Sequence, residues 1–146
     1  MNFMGLVFDN KAVTVPILAW FIAQGLKVVT VIIRERKFDF TRFIGSGGMP
    51  SSHSSYIVSL AAVIGKNEGP GSPAFAIAVA VAFIVMYDAA GIRRAAGRQA
   101  RVLNKLVHSS LDRVNIDEKL KELLGHTPLE VLMGALLGLL IGIVAG

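Results

Sequence analysis

Hydrophobic positions come in four blocks separated by polar or glycine-rich breaks, and the block lengths set the first expectations. Residues 12–33 form an apolar stretch of 22 residues interrupted by Gln24, Lys27 and Thr30, long enough to cross a hydrocarbon core as a helix. Residues 34–42 are strongly basic and lead into the serine-rich segment 47–55. A second apolar block follows at 56–65; counted from Ser51 it makes about 15 residues, or ~22 Å of helix, which is short for a span. It either starts in the interface of a locally thin membrane or is a re-entrant segment covered by its neighbours. After a Gly/Pro turn at 67–73, residues 74–92 predict a third apolar helix whose small residues permit close helix contact.

The pattern then changes period. Ile92, Ala95, Ala96, Gln99, Val102, Leu103, Leu106 and Val107 follow helical spacing, while Arg94, Arg98, Arg101 and Lys105 make the opposite stripe. This predicts an amphipathic helix on the membrane surface. A polar stretch at 109–125, with a short helix expected around 116–124, precedes the last apolar run, which Thr127 and Pro128 open. In that run Gly134, Gly138, Gly142 and Gly146 recur every four residues, a stripe for close packing inside the bundle or for a homodimer through Gly134, Gly138 and Gly142. The expected fold is all-α: a single domain over residues 1–146, an integral membrane bundle of about four spans plus a cytoplasmic amphipathic helix.

Composition agrees with the pattern. At 53% hydrophobic residues and a mean hydropathy of +0.61, the 146-residue chain is far more apolar than a soluble globule. The run at 12–33 is too long, and residues 1–10 too poor in basic residues, for a cleaved leader. Zero cysteines exclude disulfides and thiolate metal sites, and three histidines leave little for a metal cluster, so neither a metal nor another cofactor is expected. In a membrane protein the net charge of +5 points to anionic lipid headgroups rather than nucleic acid. Of the 15 basic residues, four fall in 34–42 and eight in 93–121, alternate connections of a four-span chain. The positive-inside rule puts both in the cytoplasm, as expected of a bacterial cytoplasmic membrane protein with its unusual polar residues at the cytoplasmic ends of the spans.

Those polar residues supply the candidate chemistry. Segment 47–55, Gly-Gly-Met-Pro-Ser-Ser-His-Ser-Ser, offers two glycines for close backbone approach, serines to cap a helix, and His53 in the first turn of that helix. Gly48, Ser51 and Ser52 are the candidate anion cradle. Lys27 and Arg34, seven apart, share a helical face and can clamp phosphate oxygens, although each also suits an interfacial anchor. Asp88 is accounted for by pairing with Arg93 or Arg94. Thr127, Pro128 and Glu130 form a capping box, which leaves His126 unexplained beside a helix N-terminus. Two histidines among cations suit phosphoryl transfer through a phosphohistidine, one imidazole attacking phosphorus and the other protonating the leaving alkoxide. His108 has nothing around it to recommend it.

Four stretches carry a resemblance: 47–54, Val-Met-Tyr-Asp-Ala-Ala-Gly-Ile-Arg-Arg at 85–94, Gln-Ala-Arg-Val-Leu-Asn at 99–104, and Glu-Leu-Leu-Gly-His-Thr-Pro-Leu-Glu-Val at 122–131. Nearly end to end, the chain resembles the divergent membrane branch of the type 2 phosphatidic acid phosphatase and vanadium haloperoxidase superfamily, small bacterial and plastid proteins that include phosphatidylglycerophosphate phosphatases. The superfamily's first motif is matched by Lys27 and Arg34, with Glu35 in place of its proline. Its second is matched by Pro50, Ser51 and His53, with Ser52 in place of glycine, which implies His53 as general acid. In its third motif the nucleophilic histidine and the following aspartate fall on Ala100 and Asn104. The nearest substitute is a split motif in which His126 is the nucleophile, Glu130 its orienting carboxylate, and Arg93 and Arg94 bind phosphate.

The resemblance implies a metal-independent hydrolase of an anionic lipid phosphate monoester, phosphatidylglycerophosphate or a relative, at the cytoplasmic leaflet. Two other classes fit the residues: a carrier or flippase for a lipid or polyprenyl phosphate, and a non-catalytic module that packs on other membrane proteins through its glycine stripe.

Overall fold

The computed structural model describes residues 3–35, 48–110 and 125–146, and every regular element in them is a helix. They are α1 (Phe3–Asp9), α2 (Lys11–Glu35), α3 (Ser52–Glu68), α4 (Pro73–Ala90), α5 (Ile92–Ser110) and α6 (Pro128–Ala145). The expected helix around 116–124 lies outside the described residues, as do Gly47 and most of the basic segment after α2. The short α1, which no periodicity announces, precedes the first long helix.

Three stretches are long and apolar enough to cross a membrane: Lys11–Ile33, Pro73–Leu106 and Pro128–Ala145. α3 is not among them: it has 17 residues and ends in Lys66, Asn67 and Glu68, and Ser52, Ser54, Ser55 and Ser59 lie on it, all buried. It packs against α2, α4 and α6 and makes the most extensive contacts in the chain. At 17 residues it is about 26 Å long, short of the ~30 Å hydrocarbon core. Only a four-residue turn, 69–72, separates it from α4, and it is enclosed by α2, α4 and α6. The polar face of the short second block is thus covered by protein.

What holds α3 to α6 is the glycine stripe. A Cβ on Gly134 would run into the backbone of Ser51, on Gly138 into the backbone of Ser55, and on Gly142 into Ala62 and the backbone of Ser59. On Gly146 it would come 2.9 Å from Val63. Each partner advances four residues with its glycine, so the two helices run parallel in fixed register, with their N-termini at the same end of the bundle. Small residues on both sides allow backbone approach that any larger side chain would block. Of the two uses expected for the stripe, the fold shows the packing within the bundle: the three glycines are buried, and α3 of the same chain lies on them.

The amphipathic helix is present as α5. It breaks from α4 at Gly91 and, among the described elements, makes its contacts with α4. Ile92, Val102, Leu103 and Leu106 stay exposed on it, as do many apolar side chains of α2, α4 and α6. Apolar surface of this extent on a bundle of spanning helices is the face presented to lipid.

Candidate active site

The N-termini of α3 and α6 meet the last turns of α2 and α4, and the candidate residues collect there. Ser51 caps α3: its hydroxyl accepts from the Ser54 amide (3.4 Å) and from the Ser54 hydroxyl (3.1 Å). The Ser51 amide donates to the Glu130 carbonyl (3.0 Å), tying the cap of one helix to the first turn of the other. Ser51 is fully buried, with its hydroxyl and amide both engaged within the protein. Ser52 and His53, in the first turn, have amides that the helix itself cannot satisfy.

The preceding loop is pinned to α2. Thr30 donates from its hydroxyl to Met49 O and Lys27 O, both at 2.8 Å. Gly48 has φ +89°, and a Cβ there would lie 3.1 Å from Lys27 Cγ, so the lysine stem runs directly beneath the loop. Lys27 is only 1% exposed, yet it lies close enough to act on the charges of His53, His126 and Glu130. An interfacial anchor would reach for water; this lysine is turned inward among the histidines. Arg34 lies seven residues on, near the end of α2, and its side chain falls outside the described residues.

His126 is fixed from three directions. Gly125, with φ +86°, lies so close to the backbone of Arg93 and Arg94 that a Cβ would collide with it, and the His126 amide donates to Ala89 O (2.9 Å). The α4–α5 corner thus seats the residue. Thr127 caps α6 and Glu130 completes the capping box, its Oε2 accepting from the Thr127 amide at 3.1 Å. The same oxygen meets His126 Nδ1 at 3.1 Å. His126 lies outside the helix, as Thr127 at the cap requires, and still meets Glu130.

A carboxylate on Nδ1 selects the tautomer that carries its proton there and turns the Nε2 lone pair outward. His126 Nε2 is buried without a hydrogen-bond partner, and so is His53 Nδ1. Buried nitrogens left open in pairs call for an explanation, and an absent ligand supplies one. The two rings stand 5.9 Å apart between centroids and are inclined at 65°. Burial pushes the His126 pKa below its usual value, with the Lys27 charge adding to the effect and the Glu130 hydrogen bond opposing it.

Arg93 is held by Asp88, Nε to Oδ2 2.7 Å, and both are close enough to act electrostatically on His53. Pairing accounts for Asp88, and it leaves Arg93 at the exposed rim of the site. Arg94 is exposed, and its backbone supports Gly125. No group of three or more His, Cys, Asp or Glu side chains able to hold a metal ion occurs among the described residues. Sequence reasoning missed Thr30, Ala89 and Gly125, which position the site through backbone contacts. Of these, only the glycine before His126 offered a signal.

Buried imidazoles, a carboxylate behind one and a lysine beneath them thus gather at one end of the helical bundle. The sequence profile of the divergent PAP2 family matches residues 8–141, which includes every one of these groups. The chain belongs to the divergent PAP2 family. It is therefore a phosphatase-related membrane protein. It is also similar to the uncharacterized membrane protein YuiD of Bacillus subtilis (strain 168), at 41% identity over 94% of this chain and 95% of YuiD. No solved structure matches the chain.

Proposed function

We propose that the protein is a lipid phosphate monoesterase working at the cytoplasmic leaflet through a phosphohistidine, with phosphatidylglycerophosphate or a related lipid phosphate as substrate. The observation that carries this reading is the His126–Glu130 contact through Nδ1, with Nε2 unpartnered and the second imidazole 5.9 Å away between ring centroids. The Nε2 lone pair attacks phosphorus, the P–O bond to the lipid breaks, and protonated His53 gives its proton to the leaving alkoxide. His53, now neutral, takes a proton from water as that water attacks the phosphohistidine, which releases inorganic phosphate and restores both imidazoles. Lys27, the free amides at the start of α3 and Arg93 stabilise charge on the phosphoryl oxygens. The cytoplasmic placement rests on the distribution of basic residues.

The test is release of inorganic phosphate from a panel of lipid phosphates by the purified protein in detergent. His126→Ala and His53→Ala should each reduce it by about 10³-fold or more. Only wild type and His53→Ala should form an acid-labile, base-stable phosphoprotein. Turnover retained in His126→Ala refutes the proposal. Movement of intact lipid phosphate between sealed compartments without phosphate release would identify a carrier instead.

A further inference from the structure

Beside the histidine pair the bundle holds a cleft of about 440 Å³, lined by Ile17 and Trp20 of α2, His53, Tyr56 and Ile57 of α3, and Val85 of α4. His53 belongs to both the cleft and the pair. The Ser55 hydroxyl donates to Ala19 O at 3.2 Å, which sets Ile17 and Trp20 at a level about one turn into α3. Lys27 lies seven residues from Trp20, or about 10 Å along α2. One end of the cavity thus bears the His53 imidazole, with the Lys27 charge beyond it and close enough to act on that ring. The other is hydrocarbon, and it emerges between the exposed side chains of Ile17 and Tyr56, on the face that meets lipid.

We propose that this cleft seats one hydrocarbon chain of the lipid phosphate being hydrolysed, so that the protein selects long-chain lipid phosphates over short-chain or soluble phosphate monoesters. The inference rests on the proposed phosphatase reading and names the part of the substrate recognised beyond its phosphate. An occupant must be apolar along most of its length and anionic where it reaches His53 and Lys27, and a lipid phosphate has that polarity in that order. A chain entering from the bilayer exchanges one hydrocarbon surrounding for another and gains little hydrophobic free energy. Its contribution is position: a chain held against Trp20 and Val85 places the phosphorus relative to His126, where a small displacement reduces the rate steeply.

Trp20 is the sole tryptophan in the sequence, so it reports occupancy without labelling. In phosphatidylcholine vesicles, a chain-brominated, non-hydrolysable phosphonate analogue of a lipid phosphate should quench Trp20 beyond an equal mole fraction of brominated phosphatidylcholine. Val85→Phe, which fills the cleft, should abolish the excess, and Ile17→Phe at the exposed rim should do the same if the first variant folds poorly. In detergent both variants should lose kcat/KM on the order of tenfold to a hundredfold for a dioleoyl lipid phosphate and retain it for a dibutyryl one. Equal quenching by the two brominated lipids, or parallel loss on both substrates, overturns the proposal. Selective quenching without phosphate release from any substrate leaves the chain site standing and removes the phosphatase reading. Phosphate release with unselective quenching does the reverse.

Discussion

Replacing Gly134 with alanine perturbs the site without touching a group that acts on substrate. The added Cβ collides with Ser51 O and stands 3.0 Å from Ser51 C and N, against 3.4 Å or more for ordinary contact. The obstacle is backbone, so the N-terminal ends of α3 and α6 must part by roughly 1 Å to restore carbon contact distances. The 3.0 Å bond from the Ser51 amide to Glu130 O would then stretch to about 4 Å, beyond hydrogen-bond range. Overpacking of this kind costs about 1–3 kcal/mol, and the lost bond about 1 kcal/mol more.

Glu130 rides on α6, where it holds the His126 ring, and His53 rides on α3, so the same parting misplaces nucleophile against acid and should lower kcat by about 10²-fold. Gly142→Ala meets Ala62 Cβ at 2.6 Å and Ser59 O at 2.9 Å, a comparable collision two turns further from the histidines. It should destabilise to a similar degree and affect kcat far less. The assay pairs thermal unfolding in detergent with phosphate release for both variants. Equal losses of kcat at matched stability would refute the idea that the zipper sets the histidine geometry. A change in oligomeric state with unaltered stability would show that the stripe packs between chains after all.

Two further outcomes follow from His126 and Glu130. The His126 pKa is lowered by burial and the nucleophile must be neutral, so the acid limb of kcat should lie below the ordinary imidazole value of 6.5. The same shift means that the unfolded chain binds the proton more readily, so this residue's stability contribution is complete above pH 6.5 and declines as pH falls towards its lowered folded value. An acid limb above 6.5 that vanishes in no His126 variant would contradict this. Glu130→Gln keeps a residue suited to the capping box while removing the carboxylate from His126 Nδ1, so kcat should fall by about 10³–10⁴-fold with little change in unfolding temperature. Loss of stability with kcat intact would reduce Glu130 to a helix cap.

Hydropathy located three spans because a lipid-facing helix must be apolar, and it understated α3 because a helix enclosed by protein need not be. The serines that shorten its apolar signal are the small groups that let α6 approach. Helix caps were readable at Ser51 and Thr127, since capping depends on nearest neighbours. The second contact of Glu130 was not readable, because it depends on where the chain before Thr127 is placed by Ala89 and the backbone of Arg93 and Arg94. The partner of the Ser51 amide was unreadable by the same limitation: it goes to Glu130 O, 79 positions away. Whether glycines four apart face a neighbouring helix or another chain is likewise a tertiary question that their period does not answer.

The constant register between α3 and α6 bears on two motions. Sliding of these helices is blocked, because every turn of one is notched into the other, so the interval between the imidazoles behaves as a gauge fixed against sliding. The walls at Ile17, Trp20 and Val85 belong to α2 and α4, which lie outside that zipper but are tied to the same residues, α4 through Ala89 O to His126 and α2 through Thr30 to the loop before α3. Admission of a ligand and alignment of the reacting groups are thus mechanically coupled, and a tilt that widens the aperture also resets the gauge.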